Sequence, residues 1–276
     1  MSRDPVPPRV RPAAVAGQFY PADAAELRGT LRELLAAAAP AGPARPPGRH
    51  SPYPKAIVAP HAAYRYSGAV AASAYGALIP GRGRIERVVL LGPAHRVPLR
   101  RVAASSDDRW ATPLGPVGID TAARDALHDG GLVVLDDVAH EAEHSLEVQL
   151  PFIRTVLGEV LVLPLLVGEV AATRVAELLG TVWGGPESVV VVSSDLSHYH
   201  HHTIAQRLDG ETAAAVCACD PAGVAPDRAC GVHALRGLLE AARRRSLAVR
   251  LLDLRTSGDT SGELESVVGY GAFALG

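Results

Sequence analysis

The chain has 276 residues, 20% of them charged, and its 27 basic and 29 acidic side chains give a formal net charge of -2. So even a balance offers no footprint for nucleic acid or polyphosphate, and three cysteines without a CxxC pair argue against a disulfide framework or a cysteine-only zinc knuckle. No run approaches about 18 uninterrupted apolar residues, and prolines stand where a signal peptide needs its apolar core, so the expectation is a cytoplasmic protein without a membrane partner.

Residues 23–38, DAAELRGTLRELLAAA, predict a helix: Asp23 and Glu26 have capping-box spacing, and Leu27, Leu31, Leu34 and Leu35 repeat on one face. The Pro/Gly-rich segment over 36–54 reads as an exposed loop within one domain spanning 1–276. From Lys55 onward short aliphatic runs alternate with helical stretches. Strands are predicted at 55–59, 87–91, 131–136, 161–167 and 188–193, with helices at 68–79, 120–129, 144–157, 172–183 and 203–218. RVAASS (101–106) and GPVGID (115–120) suggest an appended hairpin. The last third adds a helix over 231–244 and two strands, LAVRLLDLR and SVVGYGAFAL. Continuous apolar runs of this kind fit strands covered on both faces. The predicted fold is therefore α/β, a single three-layer domain whose central mixed, largely parallel sheet is flanked by helices.

Three predicted strands run into polar residues. KAIVA leads to His61, RVVLL to His95, and SVVVV to Asp195 and His198. In an open α/β sheet ligands bind outside the carboxyl ends of the strands, so if these strands are parallel neighbours the four side chains converge. Two imidazoles and one anion make an open site for Fe(II), Zn(II) or copper. The anion is either Asp195 or Cys230, which stands at a predicted helix start where the backbone dipole favours a thiolate.

Each of these residues has a plainer reading. His61 or His95 alone can cap a loop; His200, His201 and His202 read as solvated; Cys217 and Cys219 read as small core residues. His50, His128 and His233 have no companions. In EHSLEVQLPF, His144 and Glu147 at i and i+3 are either a surface ion pair or a general acid or base. Ser193, Ser194 and Ser197 offer a hydrolytic nucleophile, but no GxSxG elbow supports one.

The ordered motifs AGQFYPAD, IVAPHAAYRYSG, LLGPAHRVPL, ATPLGPVGID, EHSLEVQLPF, VVSSDLSHY, CGVHAL and SVVGYGAFAL resemble the MEMO family, protein B of the AmmeMemoRadiSam system, over almost the whole chain. The resemblance implies a fold related to the class III extradiol dioxygenases, which hold non-haem Fe(II) at the edge of a mixed sheet. It implies metal ligands at His61, His95 and Cys230, with His198, Asp195 and His144 lining the same cavity as candidate catalytic residues. Fe(II) is the cofactor implied first, with copper or zinc as alternatives. The implied function is redox or oxygen chemistry on an unknown substrate. The alternative is a non-catalytic metal-binding or protein-interaction module acting with radical-SAM and AMMECR1-like partners, with an unknown small-molecule or peptide ligand. A thiolate in place of the dioxygenases' carboxylate is softer and more easily oxidised, which argues against simple ring cleavage. The sequence departs from the family pattern at Ala62, where Gly is frequent, at Arg96, where a second His is frequent, and in the short stretch between SSDLSHY and Cys230.

Overall fold

The computed structural model describes residues 7–38 and 51–276, so the centre of the predicted loop and His50 lie outside the described residues. The strands are β1 (Val10–Arg11), β2 (Ala56–Ala59), β3 (Arg87–Pro93), β4 (Val102–Ala104), β5 (Arg109–Trp110), β6 (Val117–Ile119), β7 (Val134–Leu135), β8 (Leu161–Val167), β9 (Ser188–Ser193), β10 (His198–His200), β11 (Val249–Thr256) and β12 (Val267–Leu275). The helices are α1 (Ala24–Ala37), α2 (Tyr64–Gly76), α3 (Thr121–Asp129), α4 (Asp137–Glu141), α5 (Leu150–Leu157), α6 (Ala172–Val182), α7 (His202–Cys217), α8 (Val232–Arg243) and α9 (Gly258–Ser261). Hydrogen-bonded neighbours run β1-β5-β6-β8-β3-β9-β2-β12-β10, with β11 added to β12 and β4 to β8. The centre, β8-β3-β9-β2, is parallel, and β12 lies antiparallel against β2. The sheet is mixed with a parallel core, as the sequence predicts.

Period-two alternation explains the three layers. Ile57, Ala59, Val88, Leu90, Val189 and Val191 pack on one face with Leu27 and Leu31 of α1, Val70 of α2 and Phe152 of α5. Their neighbours Ala56, Val58, Val89, Leu91, Val190 and Val192 pack on the other with Val175 of α6, Val216 of α7 and Leu235 of α8. Every strand position here is buried, so a polar substitution on either face would desolvate a group with no partner. Burying each large aliphatic side chain contributes roughly 1.5–3 kcal/mol before the entropic cost of ordering it.

Local signals place most ends. Asp23 caps α1 by accepting from the N–H groups of Ala25 and Glu26, and Asp120 caps α3 through Ala123 N. Three predictions need correction. The helix predicted over 68–79 starts at Tyr64, because buried Tyr64 anchors its first turn by donating its hydroxyl to Val148 O at 2.7 Å, while Ala63 supplies no side-chain cap to read in advance. The helix predicted over 144–157 is regular only from Leu150, after a single 3-10 turn at Glu147–Gln149. Glu143 draws the N–H groups of His144 and Ser145 onto its own carboxylate, competing with helix initiation there. The predicted hairpin does not form: β4 runs antiparallel to the end of β8, whereas β6 runs parallel to the start of β8 and pairs antiparallel with β5. The length of β8 lets both short strands attach to it instead of to each other.

Candidate metal centre

Strands β2, β9 and β3 are adjacent, parallel and in register, with Ala59 opposite Ser193 and Val192 opposite Leu91. Their carboxyl ends therefore open on one edge of the sheet. His61 follows β2, His95 follows β3, and Asp195 and His198 follow β9. Cys230 arrives from the opposite layer, just ahead of α8. Its N–H donates to Asp195 O at 3.3 Å, its Sγ accepts from Asp195 N at 3.3 Å, and Gly231 N donates to Ser194 Oγ at 3.0 Å. A Cβ at residue 231 would lie 2.8 Å from Ser193 O, so only glycine lets the cysteine loop approach the end of β9 this closely.

One donor atom each of His61, His95 and Cys230 lies within 4.8 Å of the other two, and His61 Nε2 is 3.2 Å from Cys230 Sγ. The protonation of each ring follows from its supports. Tyr75 donates to Gln149 Oε1 at 2.9 Å, so Gln149 presents its amide N–H groups to Pro60 O and to Ser193 Oγ. Ser193 spends its single proton on Ser145 O at 2.6 Å. Its remaining role toward His61 Nδ1, 2.8 Å away, is that of acceptor, so Nδ1 carries the proton and Nε2 turns a lone pair into the site. Burial lowers the His61 pKa to about 4, outweighing the opposing pull of Asp195, so the ring is neutral at ordinary pH.

His95 is oriented by a charge instead. Glu143 accepts from His95 Nδ1 at 2.9 Å and from the backbone N–H groups of His95, His144 and Ser145. Burial alone would raise the Glu143 pKa, but the neighbouring ring of His144, the ring of His95 and the His95 backbone N–H together hold it far below the usual carboxylate range. His95 thus also keeps its Nδ1 proton and leaves Nε2 open.

Asp195 lies beside the cluster. Its Oδ1 accepts the backbone N–H of His61 at 2.8 Å, its Oδ2 is 4.0 Å from His61 Nε2, and it stays outside the three-residue cluster. The expectation of a thiol acidified by a helix start also needs correction. Burial first, and Asp195 second, push Cys230 well above the ordinary thiol range, outweighing the hydrogen bonds that oppose them.

The cluster floors a cavity of about 720 Å³ whose walls include Phe19, His144, His198 and Tyr270. The His144 ring stacks on His95 with centroids 4.7 Å apart and meets His61 edge-on at 5.4 Å. Its Nδ1 is 3.2 Å from Glu143 Oε1 but out of hydrogen-bonding line, which leaves that nitrogen without a hydrogen bond among the described residues. His198 points Nδ1 at Leu196 O, 2.7 Å away; a carbonyl only accepts, so Nδ1 is protonated and Nε2 has no hydrogen-bond partner among the described residues.

The pairing of His144 with Glu147 does not occur. Glu147 is fully buried and binds Arg11 NH1 at 2.7 Å, Tyr20 OH at 2.7 Å and the backbone N–H groups of Ala14 and Val15. Arg11 also donates to His140 O and Glu143 O, so this clamp fixes the segment that presents Glu143 and His144. Of the other histidines, His201 is exposed, whereas His202 is partly buried with Nδ1 2.9 Å from Thr256 Oγ1, so its solvated reading is corrected. Cys217 is exposed rather than core. Sequence reasoning missed Ser193 as the partner of His61, Gln149 behind it, and Glu143 as the partner of His95; only Glu143 had a signal, its place beside His144.

The profile of the Memo-like proteins matches residues 11–274. A MEMO1 family protein of Methanopyrus kandleri is 39% identical over 293 residues, covering 96% of this chain and 98% of the relative. One from Aquifex aeolicus is 35% identical, with 95% and 97% covered. Among solved structures, an uncharacterized protein of Escherichia coli K12 superposes with a TM-score of 0.53 at 12% identity, covering 79% of this chain and 98% of that one. This last likeness is one of fold.

Proposed function

The chain belongs to the Memo-like protein family, and from that premise together with the three-donor cluster we propose that it binds one transition metal ion through His61, His95 and Cys230 and uses it on a substrate held in the cavity. The donor set fits: the Nε2 atoms of two imidazoles, each ring fixed by a hydrogen bond at its opposite nitrogen, converge with a sulfur in the lining of the cavity. Iron is the first choice and copper the alternative, since both accept nitrogen and sulfur donors and supply redox or oxygen chemistry when bound. Zinc fits the donors but brings no electron transfer.

The chain's own residues have separable tasks. Cys230 gives up its thiol proton on coordination, which makes metal uptake proton-releasing. Asp195 holds the His61 backbone in place. His198 Nε2 is positioned to take a proton from a ligand in the cavity, and His144 offers a second site for that proton beside the cluster. The observation that carries the reading is the convergence of the three donor atoms within 4.8 Å.

Untagged protein reconstituted anaerobically with Fe(II) should retain one equivalent of metal by elemental analysis. His61→Ala and Cys230→Ser should each weaken retention by at least about tenfold. Equal retention by all three would remove the centre. Oxygen uptake with catechol-type compounds would support oxygen chemistry. Tight metal binding with no uptake across a broad panel would favour the second reading, a cytoplasmic non-catalytic module working with radical-SAM and AMMECR1-like partners. The softness of the cysteine donor, where the dioxygenases have a carboxylate, is what keeps that reading in play.

A further inference from the structure

The rim of the cavity carries charge that the centre does not use. Arg65 and Arg96 both line the cavity, both are exposed, and neither guanidinium makes a hydrogen bond or ion pair among the described residues. Arg65 is nevertheless held in place, its guanidinium lying over the Tyr66 ring 4.7 Å from the centroid. Against them the rim offers one carboxylate, Glu263, because Asp195 lies deeper and is engaged by the His61 N–H. Much of the lining is aromatic, with Phe19, Tyr66, Tyr270 and the His144 ring all contributing to it. We propose that this cavity selects a small organic anion with a flat body, its carboxylate or phosphate read by Arg65 and Arg96 while the opposite end reaches toward His198 and the His61, His95, Cys230 cluster.

The chemistry supports this assignment. A guanidinium presents paired N–H donors that match two oxygens of a carboxylate or phosphate, and two such groups whose N–H donors have no hydrogen-bond or ion-pair partner among the described residues break none when an anion arrives, while Arg65 can keep its face on Tyr66. Their exposure limits the gain, since water and salt screen the charges, so the effect is one of selectivity more than of tight binding. The inference shares its cavity with the proposed metal function but does not need the metal for its own test.

The test compares 4-hydroxybenzoate and phenyl phosphate with the neutral 4-hydroxybenzamide by calorimetric titration at low ionic strength, using protein with and without Zn(II). The wild type should bind at least one of the anions about tenfold more tightly than the amide. Which anion wins tells carboxylate from phosphate. In Arg65→Gln/Arg96→Gln the preference should fall to about twofold or less, with metal retention unchanged, because both side chains are exposed and outside the cluster. Equal binding of charged and neutral compounds, no binding of any of them at millimolar concentration, or a preference that survives the double substitution would each overturn the proposal. A wild type that discriminates anions yet retains no metal would sink the metal reading and leave the rim standing.

Discussion

The ends of β2 and β3 each present an imidazole to the same space, yet the groups behind the two rings differ. Behind His61 stands a neutral chain, Ser193, Gln149 and Tyr75, buried throughout. Behind His95, whose side chain is 30% exposed, stands the ionised carboxylate of Glu143. Both arrangements protonate Nδ1 and free Nε2. The difference follows from where each ring sits. On the Nδ1 side of His61 the groups beyond Ser193 and Gln149 are the carbonyls of Ser145 and Pro60, which only accept and would leave a carboxylate there unsatisfied, whereas Glu143 is already satisfied by three backbone N–H groups at the edge of the sheet. The neutral relay therefore sets a tautomer, while the carboxylate sets a tautomer and makes the ring a stronger donor.

Breaking each support separately should show the contrast. Glu143→Gln removes the charge while keeping the shape, and should weaken metal binding by about 10–100-fold in competition with a chromophoric chelator. A loss below about twofold would mean that the carboxylate only shapes the loop. Ser193→Ala should behave in the opposite way. It strips partners from the His61 Nδ1–H, Ser145 O and Gln149 Nε2 in a fully buried place, so unfolding by urea should show a cost of about 1–3 kcal/mol. Its effect on the metal should be smaller than that of Glu143→Gln, since no charge is lost. If Ser193→Ala proves the more damaging to metal affinity, the distinction between the two supports is wrong.

The same contrast explains what could be read before the fold was known. KAIVA, RVVLL and SVVVV announce buried strands, and His61, His95 and Asp195 stand immediately after them, so the topology needed only parallel neighbours to bring them together. Cys230 was visible as a helix-start residue, but its high thiol pKa was not, because burial is set by packing and not by local sequence. The supports were hidden for a related reason. Ser193 lies 132 residues from His61 along the chain, and inside an apolar strand a terminal serine reads as a strand end. Glu147 reads as the polar face of a helix until the N-terminal segment folds over it and Arg11 claims it. The hairpin failed because pattern identifies strands and not their partners, and β8 offered both short strands a better edge.

The smallest expected effect concerns acid. Folded His61 and His140 are held neutral by burial, each with its pKa lowered to about 4, whereas an unfolded histidine titrates near about 6.5. Between those values the unfolded chain binds more protons than the folded one. Stability is therefore fully present above about pH 6.5 and drains away as the pH falls toward about 4. At pH 5 each histidine should have withdrawn roughly 2 kcal/mol from the metal-free protein relative to pH 7. His140 allows the two shares to be separated, because its side chain is outside the three-donor cluster: it packs edge-on against Trp110 at 5.4 Å, with Nε2 3.2 Å from Ala103 O. His140→Gln keeps an N–H for that carbonyl and removes the titration, so the loss between pH 7 and pH 5, measured by urea unfolding, should shrink by about half. What remains belongs to His61, the ring on the neutral side of the comparison. A variant that loses as much as the wild type would show that His140 is not held neutral in the folded chain.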